Sequence, residues 1–195
     1  MPALLIIEAD GGSRGNPGTA GSGAVVIDAA TGQVIREIAR YVGVATNNVA
    51  EYIALLAGLQ AAIEIDREAE FAVRMDSKLV IEQMSGGWKI KHPDMIALGA
   101  QVQELARDKK ISWTWIPREQ NVLADALANR AMDELADYDS GHSAKPSAFT
   151  TEFNLAGPTS IRAPKVSDEP LTTLVLVRHG RTALTESHKI SGGDG

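Results

Sequence analysis

The chain has 195 residues and carries 19 Lys and Arg against 25 Asp and Glu, a net charge of −6, with 44% hydrophobic and 23% charged residues. That length holds one full domain and a remnant rather than two large domains, and the apolar share excludes wholesale disorder. Cys is absent, which removes disulfides, thiolate metal sites and thiol nucleophiles, so any bound metal must sit on oxygen or imidazole.

In chain order, residues 1–10 lack the basic run of a signal peptide and the length of a membrane span, so a cytoplasmic location with no membrane partner is expected. Residues 4–9 are a continuous apolar run ending at Asp10-Gly11-Gly12, the pattern of a strand buried on both faces and then a turn. Residues 21–27 and 34–42 follow, the second alternating Val34, Arg36, Ile38, Arg40, Val42, which predicts an antiparallel meander. Val49, Ile53, Leu56, Gln60 and Ile63 then recur at helical spacing, with Asn48 as the expected N-cap and Glu51 three residues later. Phe71, Val73 and Met75 alternate as a fourth strand ending at Asp76, and Ser77 caps a short helix that Gly86-Gly87 ends.

Residues 93–107 carry Ile96, Ala100, Val102 and Leu105 as a third helix, and Ile111, Trp113 and Trp115 alternate as a fifth strand stopped by Pro117. Asn121 is expected to cap a last helix to residue 135 with the apolar stripe Leu123, Leu127, Ala131, Leu135. The expected fold is therefore α/β, a mixed five-stranded sheet of three antiparallel and then parallel strands flanked by helices. Residues 137–170 have the Ser, Ala, Pro, Thr and Gly content of a flexible linker, and an apolar strand at 171–177 runs into Arg178-His179-Gly180-Arg181.

Residues 1–135 hold 13 basic and 18 acidic side chains, so the basic footprint of a protein held on nucleic acid by bulk charge is missing. This topology brings Asp10, Glu51, Asp76 and Asp125 together at the carboxyl end of the sheet, where open α/β sheets place their ligands. Each alone has a plainer use: Asp10 in a turn, Glu51 in a capping box, Asp76 and Asp125 at helix dipoles. Trp113 and Trp115 read as core and edge residues rather than a base-stacking platform. The glycine-rich stretch from Gly11 to Gly23 joins strand to strand, which argues against a nucleotide-phosphate cradle at a helix N-terminus. Four anions packed together are unfavourable without a cation, and all-oxygen ligands favour Mg²⁺, with Mn²⁺ as a substitute. Two such ions about 4 Å apart could clamp a phosphodiester for in-line hydrolysis.

The segments Ala9-Asp10-Gly11-Gly12-Ser13-Arg14-Gly15-Asn16-Pro17-Gly18, Thr46-Asn47-Asn48-Val49-Ala50-Glu51, Asp76-Ser77, and Trp115-Ile116-Pro117-Arg118-Glu119-Gln120-Asn121 leading to Ala124-Asp125 stand in the order of a known family. Residues 1 to about 135 resemble the type 1 ribonucleases H. The resemblance implies endonucleolytic hydrolysis of the RNA strand of RNA/DNA hybrids with two Mg²⁺ ions, leaving 5′-phosphate and 3′-hydroxyl ends. It also implies that Asp10 bridges both ions, Asp125 serves the water-activating one, and Glu51 and Asp76 the leaving side. Asn16, Asn47 and Asn48 match positions that touch the hybrid's minor groove, and Thr46 one that helps bind a DNA phosphate; recognition of this kind carries little sequence preference. A monomer without a small-molecule cofactor is expected.

Two departures stand out. The loop before Asp125 lacks the His that many members place there, and Arg118 is the substitute candidate. The connector Gly87-Trp88-Lys89-Ile90-Lys91-His92 replaces a longer basic insert, so weaker, more salt-sensitive binding is expected. The tail resembles the opening of the histidine phosphatases, with His179 flanked by Arg178 and Arg181. Its second His is missing, so no phosphatase activity of its own is expected from this segment, and the chain reads as the front of a longer two-activity protein. The expected division is a catalytic domain at 1–136, the linker at 137–170 and a truncated phosphatase start at 171–195. Two alternatives are a hybrid-binding module without turnover, motivated by the missing His, and a related-fold nuclease cutting DNA.

Overall fold

In the computed structural model the described residues are 2–141; the Arg178, His179 and Arg181 motif and most of the expected linker lie outside them. Strands β1 (Leu4–Gly15), β2 (Gly18–Asp28) and β3 (Val34–Ala45) form the meander and lead into α1 (Asn47–Ile65). There follow β4 (Glu70–Met75), α2 (Lys78–Met84), α3 (Pro93–Ala106), β5 (Ile111–Trp115), α4 (Val122–Glu134) and a two-residue β6 (Tyr138–Asp139). The sheet order is β5-β4-β1-β2-β3-β6, with β4 parallel to β1, β5 parallel to β4 and every other pair antiparallel. The expected mixed sheet is present, widened by a sixth strand.

Alternation along β2 divides the core. Ala24 and Val26 pack with Leu55 and Leu59 of α1, whereas Val25 packs with Leu127 and Ala131 of α4, so the two helices cover opposite faces. Among the described residues α1 is the one helix long and apolar enough to cross a membrane, and more than half of it is buried within the fold. Its apolar circumference answers to the sheet on one side and α3 on the other.

Several boundaries differ from the sequence expectation. Pairing of β1 with β2 continues past Asp10 to Gly15 opposite Gly18, so Asp10 lies within a strand and not in a turn. Thr46, not Asn48, caps α1, its hydroxyl accepting from Val49 N at 3.4 Å; Glu51 then falls beyond the first turn and takes no part in a capping box. On α4, Leu123 and Leu135 are exposed, and the buried line is Ala124, Leu127, Ala128, Ala131 and Met132. The cause is close approach: a Cβ on Gly23 would lie 2.1 Å from Ala124 O, and one on Gly21 2.5 Å from Ala128 O, so small residues must face β2. Ile96 is likewise exposed on α3, whose inner face is Leu98, Gly99 and Val102.

The segment expected to begin a linker at 137 instead closes the sheet. Tyr138 and Asp139 pair with Ala39 and Ile38, and the Arg130 guanidinium lies 4.0 Å from the Tyr138 ring centre. Asp139 accepts from Arg36 Nε at 2.9 Å and Arg40 Nη2 at 3.0 Å. Composition alone reads this polar stretch as loop because its basic partners stand on β3 and α4, far away in sequence.

Candidate active site

The parallel register pairs Glu8 with Arg74, and two residues further on it sets Asp10 beside Asp76, where β4 has ended and β1 continues. Glu51 reaches the same place because Gly11 lets α1 touch β1: a Cβ there would lie 2.1 Å from Glu51 N. Asp125 comes from the first turn of α4. The four carboxylates line one open pocket of about 270 Å³, together with Asn47 and Arg118.

Asp10 and Glu51 are buried, with 4% and 6% of their surface exposed. Burial, reinforced by the charges of Asp76 and Asp125, pushes the Asp10 carboxyl up to about 7, against the opposing effects of Arg118 and the Gly11 N–H. Burial, Asp10 and Asp76 likewise hold Glu51 well above its ordinary range, although Asn47 and the Gly11 N–H favour its ionised form. Asn47 Nδ2 donates to Glu51 Oε1 at 3.3 Å, while the buried Glu51 Oε2 has no hydrogen-bond partner. A buried carboxyl oxygen without a hydrogen-bond partner, beside a second carboxyl whose charge is disfavoured, is what a hard divalent cation would relieve, and the all-oxygen donor set suits Mg²⁺ or Mn²⁺. The residues present fit such an ion.

As they stand, Asp76 and Asp125 are hydrogen-bonded to protein partners. Among the described residues no group of three acidic or His side chains is drawn tightly enough to hold an ion. Arg118 Nη2 donates to Asp125 Oδ1, Asn129 Nδ2 to Asp125 Oδ2 at 3.0 Å, and Asn121 Nδ2 to Asp76 Oδ1 at 2.7 Å. Asp125, then Asp10 and Asp76, strengthen the hold of Arg118 on its proton, so this side chain supplies a fixed positive charge to the pocket.

Of the expected substrate contacts, Asn47 lines the pocket, and Asn16 on the β1–β2 hairpin accepts from Asn47 N at 3.2 Å. Thr46 caps α1, and Asn48 is exposed on its first turn. The sequence reading missed Asn129, although it stands one turn from Asp125, and Arg14, which lines the pocket and pairs with Asp133 at 2.5 Å. It also took Asn121 for a cap. The position is right, but the side chain makes no cap bond.

Residues 8–131 match the pattern of the reverse transcriptase-like family. In the solved structure of the N-terminal RNase H domain of Rv2228c from Mycobacterium tuberculosis, made as a maltose-binding-protein fusion, 55% of aligned residues are identical. That match covers 68% of this chain and 95% of the other, with a TM-score of 0.65. The chain belongs to the ribonuclease H family. LC11-RNase H1, solved in complex with an RNA/DNA hybrid, is 39% identical to the ribonuclease H domain over 67% of this chain and 98% of its own, with a TM-score of 0.64. The bifunctional protein Rv2228c of Mycobacterium tuberculosis is 48% identical over 189 residues, 96% of this chain and 50% of that protein. The chain thus spans about half the length of these mycobacterial relatives.

Proposed function

We propose that the ribonuclease H domain is a divalent-metal-dependent endonuclease that cuts the RNA strand of RNA/DNA hybrids, leaving 5′-phosphate and 3′-hydroxyl ends. The observation that carries this reading is the convergence of Asp10, Glu51, Asp76 and Asp125 on one open pocket. LC11-RNase H1 with its bound hybrid supports the choice of substrate. Asp10, whose carboxyl feels the charges of both Asp76 and Asp125, would serve both ions, with Glu51 and Asp76 holding one and Asp125 the other. When bound, a pair of Mg²⁺ ions, or Mn²⁺ in their place, supplies a hydroxide nucleophile and charge stabilisation for the departing 3′-oxygen.

Every other part is the protein's own. Arg118 holds Asp125 through a charged hydrogen bond that an incoming ion would have to loosen, and its fixed positive charge favours the phosphate. The Asn16–Asn47 contact joins the hairpin to the start of α1 in one polar ledge beside the carboxylates. With Asn48 and the Thr46 hydroxyl, this ledge suits minor-groove and phosphate contacts that read shape and not sequence. The pocket is complete within one chain, which supports action as a monomer. On the sequence motif alone, we further propose that Arg178, His179 and Arg181 belong to a second, histidine phosphatase-like unit beginning near residue 171.

The test is an end-labelled hybrid incubated with Mg²⁺ or Mn²⁺ beside an all-DNA duplex and single strands. Cutting confined to the RNA of the hybrid, and lost in Asp76→Asn, is expected. Tight hybrid binding without cleavage would replace the nuclease reading with a binding module, and cleavage of the all-DNA duplex would replace it with a DNA nuclease.

A further inference from the structure

The polar side chain buried most completely beside the carboxylates is an amide. Asn121 has 0% of its surface exposed and stands between the 3₁₀ turn Arg118–Gln120 and α4. It occupies the N-cap position without capping through its side chain. Its Nδ2 instead donates to the Ala9 carbonyl at 2.9 Å and to Asp76 Oδ1 at 2.7 Å. Its own backbone carbonyl accepts from Asp125 N at 3.1 Å. The Asn121 Oδ1 is buried with no hydrogen-bond partner.

An ordinary N-cap would spend its side chain on the helix's own N–H groups. Here the amide faces away from them and leaves its oxygen unpaired, an arrangement unfavourable for stability alone. The orientation is fixed by Ala9, because turning the amide over would press Oδ1 against a carbonyl that can only accept. A residue that serves stability poorly while touching three site-bearing segments is explained by the site.

We infer that Asn121 is a positioning residue that sets the carboxylates for a divalent cation. The inference rests on the metal-dependent reading above. The amide ties Asp76 to the β1 backbone next to Asp10, and the Asn121 carbonyl anchors the α4 turn that carries Asp125. With Asp76 Oδ1 taken by the Asn121 amide, the Asp76 carboxylate is tied to a fixed donor, and its second oxygen would remain for an ion. Partners of this kind, one bond removed from a ligand, govern its orientation and the affinity of the site.

The test is calorimetric titration of the full chain with Mn²⁺ alone. Asn121→Ala is expected to weaken Mn²⁺ binding by about tenfold to a hundredfold. Gln83→Ala is the control: Gln83 is also a buried amide, accepting from the Tyr52 hydroxyl and donating to Lys89 O, away from the pocket. It is expected to lose stability and bind Mn²⁺ like the unsubstituted chain. Unchanged affinity in Asn121→Ala overturns the inference, and so does an equal loss in Gln83→Ala, which would make the effect one of general stability. Should Asn121→Ala fail to fold, NMR of the unsubstituted chain gives the answer. The Asn121 side-chain amide protons should exchange slowly and shift as Mg²⁺ is added, and signals that stay in place at saturation overturn the inference. An unsubstituted chain that takes up neither ion overturns the metal-dependent reading itself.

Discussion

Asp10 keeps its proton in the folded chain to about pH 7, where an exposed Asp would have lost it near 3.8. Glu51 is displaced in the same direction. Both groups bind protons more tightly folded than unfolded; for Asp10 the metal-free fold has the full contribution below about pH 4 and loses it as the pH rises through about 7, and Glu51 acts in the same direction. In EDTA, Asp10→Asn is therefore expected to be more stable than the unsubstituted chain by about 2 to 4 kcal/mol at pH 8, with the gap closing towards pH 4. Thermal unfolding across that range checks it; equal stability at pH 8 would contradict the electrostatics described here. The same variant should cleave hybrid more than about a hundredfold more slowly. Gly11→Ala puts a methyl where Glu51 N already stands, 2.1 Å away. A loss of about 3 kcal/mol in urea unfolding is expected, with cleavage requiring more Mg²⁺ because Glu51 is pushed off its place.

At the scale of elements, β6 is a short strand held chiefly by charge. The Arg36 and Asp139 side chains are only 9% and 12% exposed, and Arg40 adds a second bond to the same carboxylate. Burial works against the Asp139 charge, but Arg36, the Gly141 N–H and Arg40 outweigh it and hold this carboxyl below its ordinary range. Its contribution is thus present above about pH 4 and lost as the pH falls further. Asp139→Ala leaves Arg36 without its most buried partner and is expected to cost about 3 kcal/mol, read as a lower urea midpoint. A smaller loss than for an exposed pair such as Arg130–Glu134 would show that β6 does not depend on this bridge.

At the scale of the molecule, the proposed function has a chain of net charge −6 meet a polyanion, and divalent cations would mediate that meeting. Mg²⁺ is expected to raise the melting temperature at pH 8 in proportion to the logarithm of its concentration above Kd, and to do so far less in Asp76→Asn. Raising NaCl from about 50 to 200 mM should raise KM for the hybrid by about tenfold or more and leave kcat nearly unchanged. A fall in kcat at constant KM would instead place the salt effect on the metal site.

Periodicity and punctuation by themselves determined the order of elements up to α4, the mixed sheet, and the four acidic positions that meet, because these follow from alternation, crossover handedness and chain direction. The motif order around Asp10, Glu51, Asp76 and Asp125 carried the family as well. Tertiary structure alone decided what depends on partners distant in sequence. Backbone contact at Gly21 and Gly23 turned Leu123 and Leu135 outward, and Thr46 as the cap of α1 left Glu51 out of any capping box. Arginines on β3 made a strand of Tyr138 and Asp139. Asn121, legible only as a cap, proved to hold Asp76, since a side-chain amide chooses among acceptors that only the packed sheet and helix bring within its reach.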